Sequence, residues 1–301
     1  MGGASTGGIA VASCVDRGMK DLRGKNGVVM AAGSGIGRAM ARALASEGVN
    51  LALMDIDPPA LEAIRAEIAA TGVSVCAFPL DVSDRAAVHA TAERAERALG
   101  DIHLLCDNAG VAFRGKSVDE TSEDLFDWMM HVNVFGMFDV LRAYVPRMKR
   151  HGTGSHIVIT GSVSGRHSVP ERLNGIYTAT KMAVVGLAEN LRVTLTPAGI
   201  GVSCLCPGVV VSNATIVGRL RPAKFGGPFE REGSSAPRPG MDASEIGRIV
   251  VRGIKDDEFY LFSHPDDRRY VKERFQAILD GMDRWERILP ELGIDPAQPA
   301  Q

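Results

Sequence analysis

The chain has 301 residues, 45% of them apolar and 23% charged, with a formal net charge of −2. That composition suits a globular domain and gives no electrostatic reason to expect nucleic acid or an anionic membrane surface as a partner. The cysteines Cys14, Cys76, Cys106, Cys204 and Cys206 and the seven scattered histidines have no metal-ligand spacing, so no metal is expected and the thiols read as reduced, in a cytoplasmic protein.

Residues 1–18 read as an extension outside the domain, disordered or a start-site artefact. They are glycine-rich, and they lack the basic n-region and apolar core of a secretory signal. Gly27-Val28-Val29-Met30-Ala31 is a continuous apolar run, the pattern of a strand buried on both faces. A glycine cluster follows, Gly33-Ser34-Gly35-Ile36-Gly37, and then a helix predicted over 36–47. Strand, glycine turn and helix together form the place where a pyrophosphate rests on backbone N–H groups. The next strand, over 50–54, ends at Asp55, at the distance expected of a carboxylate that accepts from ribose hydroxyls. The rival role for Asp55 is to cap the helix that begins near Pro58.

Further strands are predicted over 74–79, 102–106, 155–161, 200–206 and 259–262, and helices over 58–71, 84–99, 122–149 and 175–197. This alternation implies βαβ units, a parallel sheet and helices on both faces. The uncharged run Val193 to Gly218 is long enough to cross a bilayer, but Pro197, Gly199, Gly201, Pro207 and Gly208 interrupt it, so it reads as a strand with its loops. Tyr177 and Lys181 lie one helical turn apart. A phenol alone is a poor base, and a neighbouring ammonium stabilises its phenolate, which suits it to proton transfer. Ser162, directly after the apolar strand His156–Thr160, supplies a hydroxyl for a carbonyl or alcohol oxygen; its other possible role is a turn cap. Residues 212–241, rich in Gly, Pro and basic side chains, read as a lid. Val271, Phe275, Ile278, Met282, Trp285 and Leu289 recur at helical spacing, so an amphipathic helix is expected over 267–289, docked on its own subunit or forming a subunit contact or a pocket wall.

These motifs together resemble the short-chain dehydrogenase/reductases, over about Met19 to Pro265. The family's glycine motif falls on Met30 to Gly37, its Asp-Val on Asp81-Val82, and its Asn-Ala-Gly on Asn108-Ala109-Gly110. Its catalytic tetrad falls on Asn133, Ser162, Tyr177 and Lys181, and its Pro-Gly on Pro207-Gly208. The resemblance implies a single Rossmann-type doubly wound domain over 19–265 with a seven-stranded parallel sheet, followed by the helix and tail at 266–301. It implies a cofactor site formed by Gly33, Ser34, Gly35, Ile36, Gly37, Asp55, Asp81, Val82, Asn108, Ala109, Gly110, Tyr177, Lys181, Pro207, Gly208 and Val210. Asp55 repels the 2′-phosphate of NADP, and no Arg or Lys stands at Ser34 or immediately after Asp55 to offset it, so NAD is preferred.

The implied activity is interconversion of a secondary alcohol and a ketone. Val163, Val169, Leu173, Val209, Val210 and Phe225 suggest a bulky, hydrophobic substrate. The segment Arg219–Gly226 resembles a stretch of bacterial Cα-dehydrogenases that act on lignin-derived aryl ethers. The rival readings are a cofactor-bound regulator without turnover and an epimerase or dehydratase on the same fold. Two positions depart from the family pattern. Met30-Ala31 replaces Thr-Gly, and Ser164 rather than Ser162 keeps the usual spacing to Tyr177. A homo-oligomer, a tetramer, is expected, sealed by the apolar excess of the helices over 122–149 and 175–197: Phe126, Met129, Met130, Phe135, Met137 and Phe138.

Overall fold

The computed structural model describes residues 18–113, 115–168, 174–211, 217–229 and 240–295. The expectations placed on residues 1–17, on Val169 and Leu173, and on the lid segments 212–216 and 230–239 lie outside the described residues.

Seven strands, β1 (Asn26–Met30), β2 (Asn50–Asp55), β3 (Val75–Pro79), β4 (Leu104–Asp107), β5 (Ser155–Thr160), β6 (Ile200–Cys206) and β7 (Tyr260–Phe262), form one sheet. Their order is β3-β2-β1-β4-β5-β6-β7 and every pairing is parallel. The connecting helices are α1 (Gly35–Ser46), α2 (Pro58–Ala69), α3 (Arg85–Leu99), α4 (Glu123–Met130), α5 (Met137–His151), α6 (Gly175–Leu195) and α7 (Ala243–Asp256), with α8 (Arg268–Glu291) at the end. The sequence reading named no helix at α7, where Asp242 caps the first turn through the Ser244 N–H.

Successive side chains of a strand point to opposite faces, and this splits the core in two. Val28 and Met30 pack with Leu105, Ile157, Trp128, Tyr144 and Val184 on the side of α3 to α6. Val29 packs with Leu51, Leu53, Met40, Leu44, Ile64 and Ile246 on the side of α1, α2 and α7. Met40 and Leu44 are fully buried, and each contributes about 1.5–3 kcal/mol by leaving water. The strand order reverses direction between β1 and β4, and at such a point the loops beyond the carboxyl ends diverge and open a crevice.

The helix expected over 122–149 continues past α4 as a π-helical segment, His131–Gly136, before α5, a distortion that the resemblance implies for the family's Asn at position 133. The physical cause lies at Asn133, whose amide turns away to satisfy another part of the backbone. One expectation needs correction: beyond its first turn, where Tyr270 stacks on His167, the terminal helix leaves Phe275, Ile278, Met282 and Trp285 exposed, so among the described residues its apolar face is not docked on its own subunit. Its periodicity specifies an apolar face but not the direction that face takes. Of the side chains expected to seal an assembly, Met129 and Met137 are buried within the subunit, while Phe126, Phe135 and Phe138 are exposed.

Candidate active site

The polar groups singled out in the sequence follow the carboxyl ends of successive strands. The glycine turn follows β1, and Asp55 ends β2. Asp81 follows β3, Asn108 follows β4, Ser162 follows β5 and Pro207 follows β6.

The glycine turn is held by the end of β2. Gly33 N–H donates to Asp55 Oδ2 at 2.8 Å, and a Cβ at Gly33 would stand 2.9 Å from that oxygen. A Cβ at Gly37 would stand 2.0 Å from the Ala31 carbonyl oxygen, so only glycine lets α1 start this close to the turn. Ala31 occupies the left-handed region, with φ of 52°. The sequence departs from the family where glycine would carry that conformation without strain, and the backbone adopts it nonetheless. α1 has no acidic residue in its first turn, so the positive end of its dipole is left to an anion.

Asp55 is buried, and its carboxyl is raised above the ordinary range by desolvation, with backbone donors at Asp57 and Gly33 opposing the shift. It does not cap α2. That role falls to Asp57, which accepts from the Ala60 N–H at 3.3 Å. Asp81 accepts from the N–H and hydroxyl of Ser83 at 2.9 and 2.6 Å, beside buried Val82.

Asn133 is linked through Thr180 to the Tyr177 backbone, and Lys181 is tied to the end of β5. Asn133 accepts from the Val111 N–H at 2.7 Å and donates to the Val111 carbonyl at 2.9 Å and to Thr180 Oγ1 at 3.0 Å. The Thr180 hydroxyl in turn donates to the Tyr177 carbonyl at 2.8 Å. Lys181, only 4% exposed, donates through Nζ to the Thr160 carbonyl at 2.8 Å. The Thr160 hydroxyl donates to Asn108 Oδ1 at 3.1 Å. Tyr177 is also buried, on the same helix face as Lys181. A Cβ at Gly110 would lie 3.3 Å from Lys181 Nζ and 3.5 Å from Asn133 Oδ1, so the Asn-Ala-Gly segment runs directly over this network. Ser162 Oγ accepts from the Ser164 N–H at 3.1 Å, which makes Ser162 the cap of the short turn Val163–Gly165 and leaves its O–H as a donor. Ser164 is buried as well.

The carbonyl of Pro207 accepts from the Val163 N–H at 3.1 Å. A Cβ at Gly208 would collide with the His264 ring, at 2.5 Å. Val210 pairs as an isolated bridge with Met241. Cys204 and Cys206 lie side by side as free thiols, one hydrogen-bonded to the other with sulfurs 3.8 Å apart. Among the described residues no group of His, Cys, Asp or Glu is placed to hold a metal ion, and no helix is long and apolar enough to cross a membrane.

Three further groups went unremarked in the sequence. Thr160 and Thr180 position Lys181, Asn133 and Asn108 as described. Asp107 ends β4 fully buried; burial pushes its carboxyl up to about 7, against the pull of the Lys181 ammonium. Its place directly before the Asn-Ala-Gly segment was the available signal. The described part of the expected lid reaches the loops after β2 and β3. Arg219 pairs with Asp57 at 3.0 Å, and Lys224 approaches Asp81 at 3.4 Å and donates to the Ser83 carbonyl at 3.2 Å. Phe229 packs near Trp128 and Phe113, with centroids 6.0 and 6.1 Å away, while Phe225 is buried against His131 at 5.2 Å.

The sequence profile of the short chain dehydrogenase family matches residues 25–220. The chain belongs to the short-chain dehydrogenases. Among its relatives is a C alpha-dehydrogenase of Sphingobium sp. (strain NBRC 103272 / SYK-6), 32% identical over 272 residues, covering 88% of each chain. A short-chain dehydrogenase/reductase of Burkholderia phymatum, solved in complex with NAD, superimposes with a TM-score of 0.79 at 33% identity, over 94% of this chain and 100% of that one. Carveol dehydrogenase of Mycobacterium avium, also in complex with NAD, gives a TM-score of 0.70 at 25% identity, over 81% of this chain and 97% of that one. This short-chain dehydrogenase is therefore an oxidoreductase of the nucleotide-binding α/β type.

Proposed function

We propose that the protein is an NAD-dependent dehydrogenase that interconverts a secondary alcohol and a ketone on a bulky, hydrophobic or aromatic substrate. The observation that carries this reading is the buried Tyr177 one turn before a buried Lys181, whose ammonium is fixed by the Thr160 carbonyl beneath the Asn-Ala-Gly segment. The residues present fit a dinucleotide: the glycine cradle leaves no room for a Cβ at Gly33 or Gly37, and the Asp55 carboxylate closes it. Bound NAD would supply the hydride-accepting nicotinamide carbon.

The chain's own groups then have separate tasks. Tyr177 takes the proton of the substrate hydroxyl through its phenolate oxygen. Lys181 stabilises that phenolate and reaches the ribose hydroxyls on the nicotinamide side. The Ser162 O–H donates to the substrate oxygen, where negative charge develops. Asn133, held by Val111 and Thr180, fixes the π-turn beside Lys181 and supports the proton path to solvent. Asp55 selects NAD over NADP by accepting from the ribose hydroxyls and repelling a 2′-phosphate. Phe229 and Phe113, both partly buried, offer ring surface for an aromatic substrate, with the buried Trp128 packed edge-on against Phe229.

Similarity to the Sphingobium C alpha-dehydrogenase supports the choice of a benzylic type of secondary alcohol for the first assays. A cofactor-bound regulator gains nothing from Ala31, because the turn already holds the conformation the family glycine would take. A closed homo-oligomer, a tetramer, would cover the exposed Phe126, Phe135 and Phe138. The test is formation of reduced nicotinamide from NAD with a panel of aryl and alkyl secondary alcohols. Turnover with the aryl members supports the reading. Failure with every alcohol and every matching ketone contradicts it.

A further inference from the structure

α8 is a helix of 24 residues, and its apolar side chains repeat with a coiled-coil period. Val271, Phe275, Ile278, Met282, Trp285, Leu289 and Leu292 alternate spacings of four and three, an unbroken heptad seam. The middle of that seam is uncovered, with Val271 and Leu289 half-buried: Phe275 is 53% exposed, Ile278 43%, Met282 64% and Trp285 55%, and Leu279 beside it is 53% exposed. Its root is fixed to the body. Asp267 pairs with Arg166 at 2.9 Å and His167 at 3.1 Å, and the His167 ring stacks on Tyr270 at 5.1 Å. The seam is therefore presented from a firm base at Arg166 and His167.

We infer that α8 pairs antiparallel with α8 of a second copy of this chain about a two-fold axis near the helix centre. Three observations select that occupant. Reversing the helix maps the seam onto itself: Val271 meets Leu289, Phe275 meets Trp285 and Ile278 meets Met282 of the second copy. The charges also reverse. The first half carries Arg268, Arg269, Lys272 and Arg274 against Glu273, and the second carries Asp280, Asp283, Glu286 and Glu291 against Arg284 and Arg287. A two-fold axis keeps each flank of the seam on its own side, so Lys272 of one copy faces Glu286 of the other, twice, and Leu279 faces Leu279. A parallel pair would instead set basic half beside basic half. Third, Gly281 sits near the middle of the helix, where glycine costs about 1 kcal/mol relative to alanine. Among the described residues a Cβ there would meet nothing within 4 Å, so nothing inside the subunit calls for the glycine, whereas close approach of a second helix would. This face is separate from that of Phe126, Phe135 and Phe138 and does not depend on the proposed reaction.

The test is the mass of the full-length protein by sedimentation velocity across micromolar concentrations. Wild type is expected to sediment as a multimer. Ile278→Glu combined with Met282→Glu should halve its mass while leaving melting behaviour and cofactor binding unchanged. Lys272→Glu should raise the dissociation constant about tenfold, and adding Glu286→Lys should restore it. Gly281→Cys should cross-link to its own copy under mild oxidation. A monomeric wild type, as when α8 folds back on its subunit or awaits a different protein, overturns the inference. So does a mass unchanged in the seam variant. A seam-dependent mass with no rescue by the double charge reversal, or with no Gly281→Cys cross-link, overturns the antiparallel pairing.

Discussion

Ala31→Gly isolates one torsion angle in the glycine turn after β1. Ala31 holds φ at 52°, in the region where an L-residue pays about 1–2 kcal/mol that glycine does not. Glycine also gains freedom in the unfolded chain, which offsets about 0.4–1 kcal/mol of that relief. The net expectation is a protein more stable by about 0.5–1 kcal/mol, or a melting temperature higher by about 1–3 °C for a chain of this size. The turn already has the shape the glycine would take, so the dissociation constant for NAD should change by less than about twofold, or about 0.4 kcal/mol. Gly37→Ala is the opposite case, because its Cβ would lie 2.0 Å from the Ala31 carbonyl oxygen and the turn must open. Differential scanning fluorimetry and calorimetric titration with NAD measure both quantities. A loss of about 1 kcal/mol in stability, or a tenfold loss of NAD affinity, in Ala31→Gly would refute the reasoning. Either result would mean that the methyl group supports the turn rather than straining it.

Tyr177→Phe should lower kcat by about a thousandfold while NAD binds within a few-fold of wild type, since only the proton-transfer group is lost; retention of about a tenth of kcat would exclude the role given to Tyr177. Asp55→Ala should shift the ratio of kcat/KM for NADP over NAD by at least about tenfold, about 1.4 kcal/mol, and an unchanged ratio would leave Asp55 only its bonds to Gly33 and Asp57. Burial raises the Asp107 carboxyl from its ordinary 3.8 to about 7, so the stability it lends is complete below about pH 4 and is lost as pH rises through about 7. The gap corresponds to roughly 4 kcal/mol, and Asp107→Asn should flatten the pH dependence of urea unfolding across that window. Parallel pH profiles for the two proteins would contradict this.

Much of the sheet was legible because a buried parallel strand is written as a continuous apolar run, as at Val28–Met30, and because glycine and Asp55 punctuate the first two strands. Part of the candidate site was legible for a related reason: Gly33, Asp55, Asp81, Asn108, Ser162 and Pro207 follow or end strands within a few positions, whereas Asn133, Tyr177 and Lys181 lie on helices and were read from their motif. What stayed hidden depends on contacts distant in sequence. The resemblance implies a helix distorted at Asn133, but not that the amide is held there by Val111, twenty-two residues earlier. Arg219 meets Asp57 across 162 positions, and no local pattern announces that pair. Asp107 looks like an ordinary strand end, and only its complete burial beside Lys181 makes its carboxyl unusual. For α8, periodicity revealed a seam but could not tell a helix folded onto its subunit from one facing outward.

The central claim is that Tyr177 and Lys181 serve a hydride transfer from a secondary alcohol. The most direct measurement uses an aryl secondary alcohol carrying deuterium on the carbinol carbon. The protein is incubated with this alcohol and NAD, and the product nucleotide is read by mass spectrometry and proton NMR. The account predicts one deuterium on nicotinamide C4, on a single face, together with the matching ketone, and neither product in Tyr177→Phe. Unlabelled reduced nucleotide, deuterium released to water, or an isomerised or dehydrated product with no net nucleotide reduction would contradict it.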